Sequence, residues 1–85
     1  MNQSEEKLRS RLYELAQDVS GEGDLGLTPA EYFATPLGEL GIDSLSALEL
    51  SVYLEREFSA RIEEDELSSI RTLEDIVALA QSKGV

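Results

Sequence analysis

Residues 39–50 read ELGIDSLSALEL and place Ser44 directly after Asp43, where a glycine-punctuated polar approach gives way to an apolar run. A serine hydroxyl does two kinds of chemistry. It is a nucleophile when a neighbouring base takes its proton, or it accepts a group that another enzyme delivers. The first is closed to this chain. Histidine and cysteine are both absent, so there is no imidazole to act as the base of a Ser/His/Asp system. No lysine stands in an SxxK relation to Ser44. The same absences remove imidazole and thiolate metal sites and any disulfide framework. Chemistry at Ser44 would therefore be modification by another enzyme. The ordinary alternative is a helix cap, because Asp and Ser are both favoured at that position. Only one of the two caps. If Asp43 does, Ser44 falls at the first helical position with its hydroxyl free, at the positive end of the helix dipole. That is a favourable place for a phosphate ester.

The elements that must position Ser44 follow from hydrophobic spacing. Residues 4–19, SEEKLRSRLYELAQDV, place Leu8, Leu12, Leu15, Ala16 and Val19 on one helical face. Ser4 is the expected N-cap, Glu5 and Glu6 suit the first turn, and Gly21 and Gly23 are expected to end the helix. Residues 20–43 form a long connection. Within it Thr28-Pro29-Ala30-Glu31 reads as a capping box with proline at the first helical position. A short helix is expected there, turning Tyr32 and Phe33 inward, with Pro36 and Gly38 breaking it. Leu37, Leu40 and Ile42 are expected to be buried. Residues 44–58, SLSALELSVYLEREF, read as the second main helix, with a wide apolar arc. Leu48, Leu54, Phe58, Ile62 and Val77 are expected in the core, with Ile70 as a further anchor. Residues 63–69 give at most a short helix with an acidic first turn. Thr72 and Asp75 open the last helix with an acidic capping box, and Leu73, Ile76, Val77 and Ala80 form its buried face. Lys83 suits the final turn and Gly84 stops it. No alternation persists long enough for a strand. The fold class is all-α: a small antiparallel bundle of three main helices plus one or two short ones, with a long loop between the first two.

With 85 residues the chain, residues 1–85, is expected to be one domain. Eighteen acids against seven bases give a net charge of −11. Such a surface repels nucleic acid and anionic membranes and attracts proteins with basic patches, although acidity also serves solubility. Residues 20–43 carry Glu22, Asp24, Glu31, Glu39 and Asp43 and no base, so the excess gathers around the approach to Ser44. No apolar stretch nears the ~20 residues that span a bilayer, and the N-terminus lacks the apolar region of a signal peptide. A cytoplasmic monomer is expected.

The chain resembles the acyl carrier proteins and related carrier domains over nearly its whole length, most densely from Thr35 to Ala80. That family's attachment motif is Asp-Ser-Leu after a Leu-Gly-x stretch, and here Leu40-Gly41-Ile42-Asp43-Ser44-Leu45 stands in that place. Glu49-Leu50, then Leu54-Glu55-Arg56-Glu57-Phe58, then Ile62, Ile70, Thr72 and Leu73 fall at matching positions. The resemblance implies that a phosphopantetheinyl transferase moves 4′-phosphopantetheine from coenzyme A onto Ser44. The arm's thiol then holds acyl groups as thioesters, and the carrier presents them to ketosynthases, acyltransferases or other acyl-processing enzymes. The chain itself would not be an enzyme. Asp43 would orient the modification site and act near the transferase's magnesium. Leu45 would be an exposed apolar contact, extended by Val52, and Glu49 and Glu55 would meet basic residues of partners or, in the ordinary alternative, simply face solvent.

Some residues depart from the housekeeping fatty-acid carriers. Arg56 and Ser46 stand where that group commonly has acids, and the first loop is longer. The approach ATPLGELGID resembles the "TPLxELGxDSL" of polyketide-synthase carriers. The resemblance thus points to polyketide or related secondary metabolism, with fatty-acid or single amino-acid cargo as the alternative. Met1 and the charge suggest a free-standing protein, and an excised synthase domain is the other possibility. A different class of function is an acidic helical adaptor in which Ser44 does no more than start a helix.

Overall fold

A computed structural model of the chain describes residues 3–21 and 25–85, with side chains from residue 5 onward. Its elements are α1 (Gln3–Val19), α2 (Pro29–Ala34), a 3₁₀ segment η1 (Leu37–Leu40), α3 (Ser44–Phe58), α4 (Glu64–Leu67) and α5 (Leu73–Ser82). The described residues contain no strand. The backbone is already helical at Gln3, so Ser4 lies inside the first turn. The Ser4 side chain and Gly23, which the expected cap and stop rest on, lie outside the described residues.

The short elements start where their caps place them. Thr28 Oγ1 accepts from the Glu31 N–H at 3.2 Å, and Glu31 Oε1 accepts from the Thr28 N–H at 2.9 Å. Pro29 sits at the start, where a missing N–H costs nothing. Thr72 and Asp75 repeat the reciprocal pair at the head of α5. In α4 the Glu66 carboxylate accepts from the Glu63 N–H at 2.8 Å and from the Lys83 ammonium at 3.0 Å, which ties this short helix to the end of α5.

The core forms where α1 packs on α3 and α5. Leu8, Leu12, Leu15 and Ala16 of α1 meet Leu50 and Leu54 of α3 and Leu73, Ile76, Val77 and Ala80 of α5, all buried. Arg9 and Arg11 lie two residues apart and so point to nearly opposite sides of α1. Arg9 forks onto Glu74 of α5 at 2.9 and 2.6 Å, and Arg11 forks onto Glu57 of α3 at 2.7 and 3.0 Å. The long connection is not structureless. Tyr32 and Phe33 turn inward from α2, with Tyr13 edge-on to Tyr32 at 5.1 Å. Leu37, Leu40 and Ile42 are buried as expected.

Three expectations need correction. Gly38 does not break a helix; it lies inside η1, which follows Pro36 and is anchored by the Leu37 N–H on the Arg71 carbonyl at 2.9 Å. Leu48 is not core but 45 % exposed. At 100° per residue it stands roughly 120° around α3 from Leu54, beyond the arc that α1 covers. Phe58, Ile62 and Ile70 are partly buried at the rim of the core rather than within it.

Candidate functional site

Gly41 closes η1 in the left-handed conformation, φ 80°, with its N–H on the Gly38 carbonyl at 3.3 Å. Ile42 then tucks into the core, and its N–H donates to the Leu37 carbonyl at 3.0 Å. Buried Leu40 and Ile42 thus pin the chain on both sides of the turn. From there the backbone rises through extended Asp43 into α3.

Asp43 is the N-cap. Its Oδ1 accepts from the Ser46 N–H at 2.8 Å. That bond, helped by the Leu45 N–H, holds the Asp43 carboxyl below the usual carboxylate range, so it is ionised near neutral pH. Capping by Asp43 decides the question left open by the sequence. Ser44 stands at the first position of α3, exposed, and no described residue takes up its hydroxyl. The described residues place no histidine, cysteine or metal-binding carboxylate cluster near it. What the arrangement offers is an accessible hydroxyl at the positive end of a helix of 15 residues.

A groove of about 460 Å³ opens at Ser44. Leu45, Ala47 and Leu48 form its α3 wall, and Glu64, Leu67 and Ser68 its α4 wall. No local spacing announces the second wall, because α4 reaches the site only through the tertiary fold. From the groove's α3 wall an apolar strip continues along α3 to solvent: Leu45 is 67 % exposed and Val52 is 46 % exposed, with Leu48 beside them. Glu49 lies between Leu45 and Val52, and Glu55 flanks the strip. Neither carboxylate is engaged by a described residue, whereas the neighbouring Glu57 is held by Arg11. Arg56 falls on the same side as Leu45, Glu49 and Val52, four residues beyond Val52, and is exposed too.

The family described as "Phosphopantetheine attachment site" matches residues 10–80. The chain is 32 % identical over 81 residues to a meromycolate extension acyl carrier protein of Mycolicibacterium aurum, covering 95 % of this chain and 80 % of the relative. It is 30 % identical to an acyl carrier protein of Thermobifida fusca over 95 % of this chain and 99 % of that one. It is 39 % identical over 75 residues to polyketide-8 synthase acyl carrier protein 2 of Streptomyces avermitilis, covering 88 % and 83 % of the two chains.

Proposed function

The chain belongs to the phosphopantetheine attachment family, and from that premise we propose that it is an acyl carrier whose arm is joined to Ser44. The observation that carries this reading is the division of labour at the head of α3. Asp43 does the capping, so the Ser44 hydroxyl is left accessible beside a groove. The residues fit the group. A phosphodiester on Ser44 would sit at the dipole's positive end, and the ionised Asp43 alongside, being exposed, repels it only through water.

In the modification, a bond forms from Ser44 Oγ to the phosphorus that carries pantetheine. The pyrophosphate P–O bond of coenzyme A breaks, and adenosine 3′,5′-bisphosphate leaves. Among the described residues no group donates to or accepts from the Ser44 hydroxyl, and the base that takes its proton is assigned to the transferase. Asp43 positions Ser44 through the cap and offers a carboxylate near the transferase's magnesium. The bound arm supplies a thiol that carries acyl groups as thioesters. The protein is a carrier and not a catalyst.

Leu45 and Val52, joined by Leu48, form the apolar part of a partner-binding face, and Glu49 and Glu55 meet basic residues of acyl-processing enzymes at its edge. The cargo we assign is a polyketide or related acyl intermediate. The 39 % identity to a polyketide-synthase carrier and the TPLGELGIDSL approach support that. A second reading, an acyl group of the meromycolate-extension kind, rests on the likeness to a meromycolate extension acyl carrier protein. The protein acts as one monomeric domain in the cytoplasm.

Intact mass after incubation with coenzyme A, magnesium and a broad-specificity phosphopantetheinyl transferase tests the reading. One phosphopantetheine is expected on the parent and none on Ser44→Ala, which stays folded because Asp43 does the capping. An unmodified parent under conditions that load a control carrier, or a modified Ser44→Ala, would refute it.

A further inference from the structure

The end of α1 and the start of α3 meet behind Ser44. Val19 closes α1, and its carbonyl is one of the last four that a helix leaves without a partner within the helix. The part-buried Ser46 hydroxyl donates to it at 3.2 Å, across 27 positions of sequence. Nearby, the Gly21 N–H donates to the Gly41 carbonyl at 3.2 Å, and the Ser20 hydroxyl donates to the Leu40 carbonyl. These bonds tie residues 19–21 to residues 40, 41 and 46, so they bracket the segment that presents Ser44. Two of them end before that segment. Ser46 holds it from the other side.

Resting on the carrier reading, we propose that Ser46 is a positioning residue that clasps the first turn of α3 to the end of α1 and so fixes the direction in which Ser44 is presented. The Ser46 hydroxyl has one proton and a second acceptor close by, the Asp43 carboxylate. Asp43 already receives the Ser46 N–H at 2.8 Å. The hydroxyl proton on Val19 is the contact that joins the two helices.

Three variants test the clasp: Ser46→Ala, Ser46→Asp and Ser46→Thr. Each is read by amide hydrogen exchange at Gly21 and Ile42 and by kcat and KM for the transferase. Ser46→Asp is the decisive one. A carboxylate in the first turn suits the helix dipole, so α3 starts soundly, yet it has no proton for the Val19 carbonyl. Ala and Asp are both expected to speed exchange at Gly21 and to lower kcat/KM by roughly two- to tenfold, the range of one hydrogen bond. Thr is expected to restore both. If Ser46→Asp matches the parent, only the helix start matters and the clasp is wrong. If Gly21 exchange is unmoved in all three, the hydroxyl serves Asp43 and the clasp is again wrong. A parent that no transferase modifies would sink the carrier reading and the presentation role together, whereas Gly21 exchange would still report on the clasp itself.

Discussion

At Gly41 the backbone takes φ 80°, a conformation in which a side chain clashes with its own carbonyl. Its neighbours Leu40 and Ile42 are buried, so the turn cannot relax by shifting either way. Gly41→Ala should therefore lower stability by about 1–2 kcal/mol and slow modification of Ser44, because the strain falls three residues before the hydroxyl. Gly38→Ala is the control. Gly38 has ordinary φ, and an added Cβ would meet nothing within 4 Å. There the loss of unfolded-state freedom should leave the protein unchanged or more stable by about 0.4–1 kcal/mol. Urea unfolding of both variants checks this. Equal shifts at the two glycines would mean that the left-handed turn is not what directs the chain into α3.

α3 has two apolar faces with different jobs, and Leu48 and Leu54 separate them. Leu54 is fully buried against α1, so Leu54→Ala should cost about 2–5 kcal/mol. Leu48 is 45 % exposed, so Leu48→Ser should stay within about 0.5 kcal/mol of the parent while weakening capture by an acyl-processing partner. Denaturation and partner-binding measurements on the same two variants make the comparison. A Leu48→Ser protein as unstable as Leu54→Ala would return Leu48 to the core. The sequence could not distinguish the faces, because a wide apolar arc is consistent with either one broad core face or a core face beside a docking strip. It did show what depends on neighbours. The boxes at Thr28 and Thr72 and the cap at Asp43 join residues three apart, so the pattern that makes them is visible in a short window. The clasp from Ser46 to Val19 and the forks of Arg11 on Glu57 and Arg9 on Glu74 span 27, 46 and 65 positions. No local spacing encodes them. The α4 wall of the Ser44 groove was illegible for the same reason.

Across the whole molecule the charge of −11 works against folding, and the ion pairs work for it. The pairs of Arg9, Arg11, Arg61 and Lys83 are exposed or partly exposed, and solvent-screened pairs of that kind contribute little. Eleven uncompensated charges make about 55 repulsive pairs, each worth about 0.3 kcal/mol at roughly 15 Å in water. The molecule measures 31 × 30 × 19 Å, so at ~0.01 M salt, with a Debye length of ~30 Å, every charge feels the rest. Repulsion wins even after the unfolded chain keeps part of it. Raising salt to ~0.2 M at neutral pH should therefore raise the Tm; a fall would mean that the bridges dominate. With repulsion screened, acid then reads the specific contacts. Hydrogen bonds from Arg9, the Ser46 N–H, Arg11, the Glu63 N–H and Arg9 again lower the carboxyls of Glu5, Asp43, Glu57, Glu66 and Glu74 respectively. A carboxyl lowered in the folded state stabilises it fully above the unfolded-chain value, and that contribution is lost as pH falls through the folded value. In ~0.2 M salt, the Tm should hold level from neutral pH down to the ordinary glutamate value of 4.5 and fall below it, with the Asp43 contribution lost last, below 3.8. A Tm that stays level or climbs below that point would show that relief of repulsion outweighs the loss of the caps and bridges.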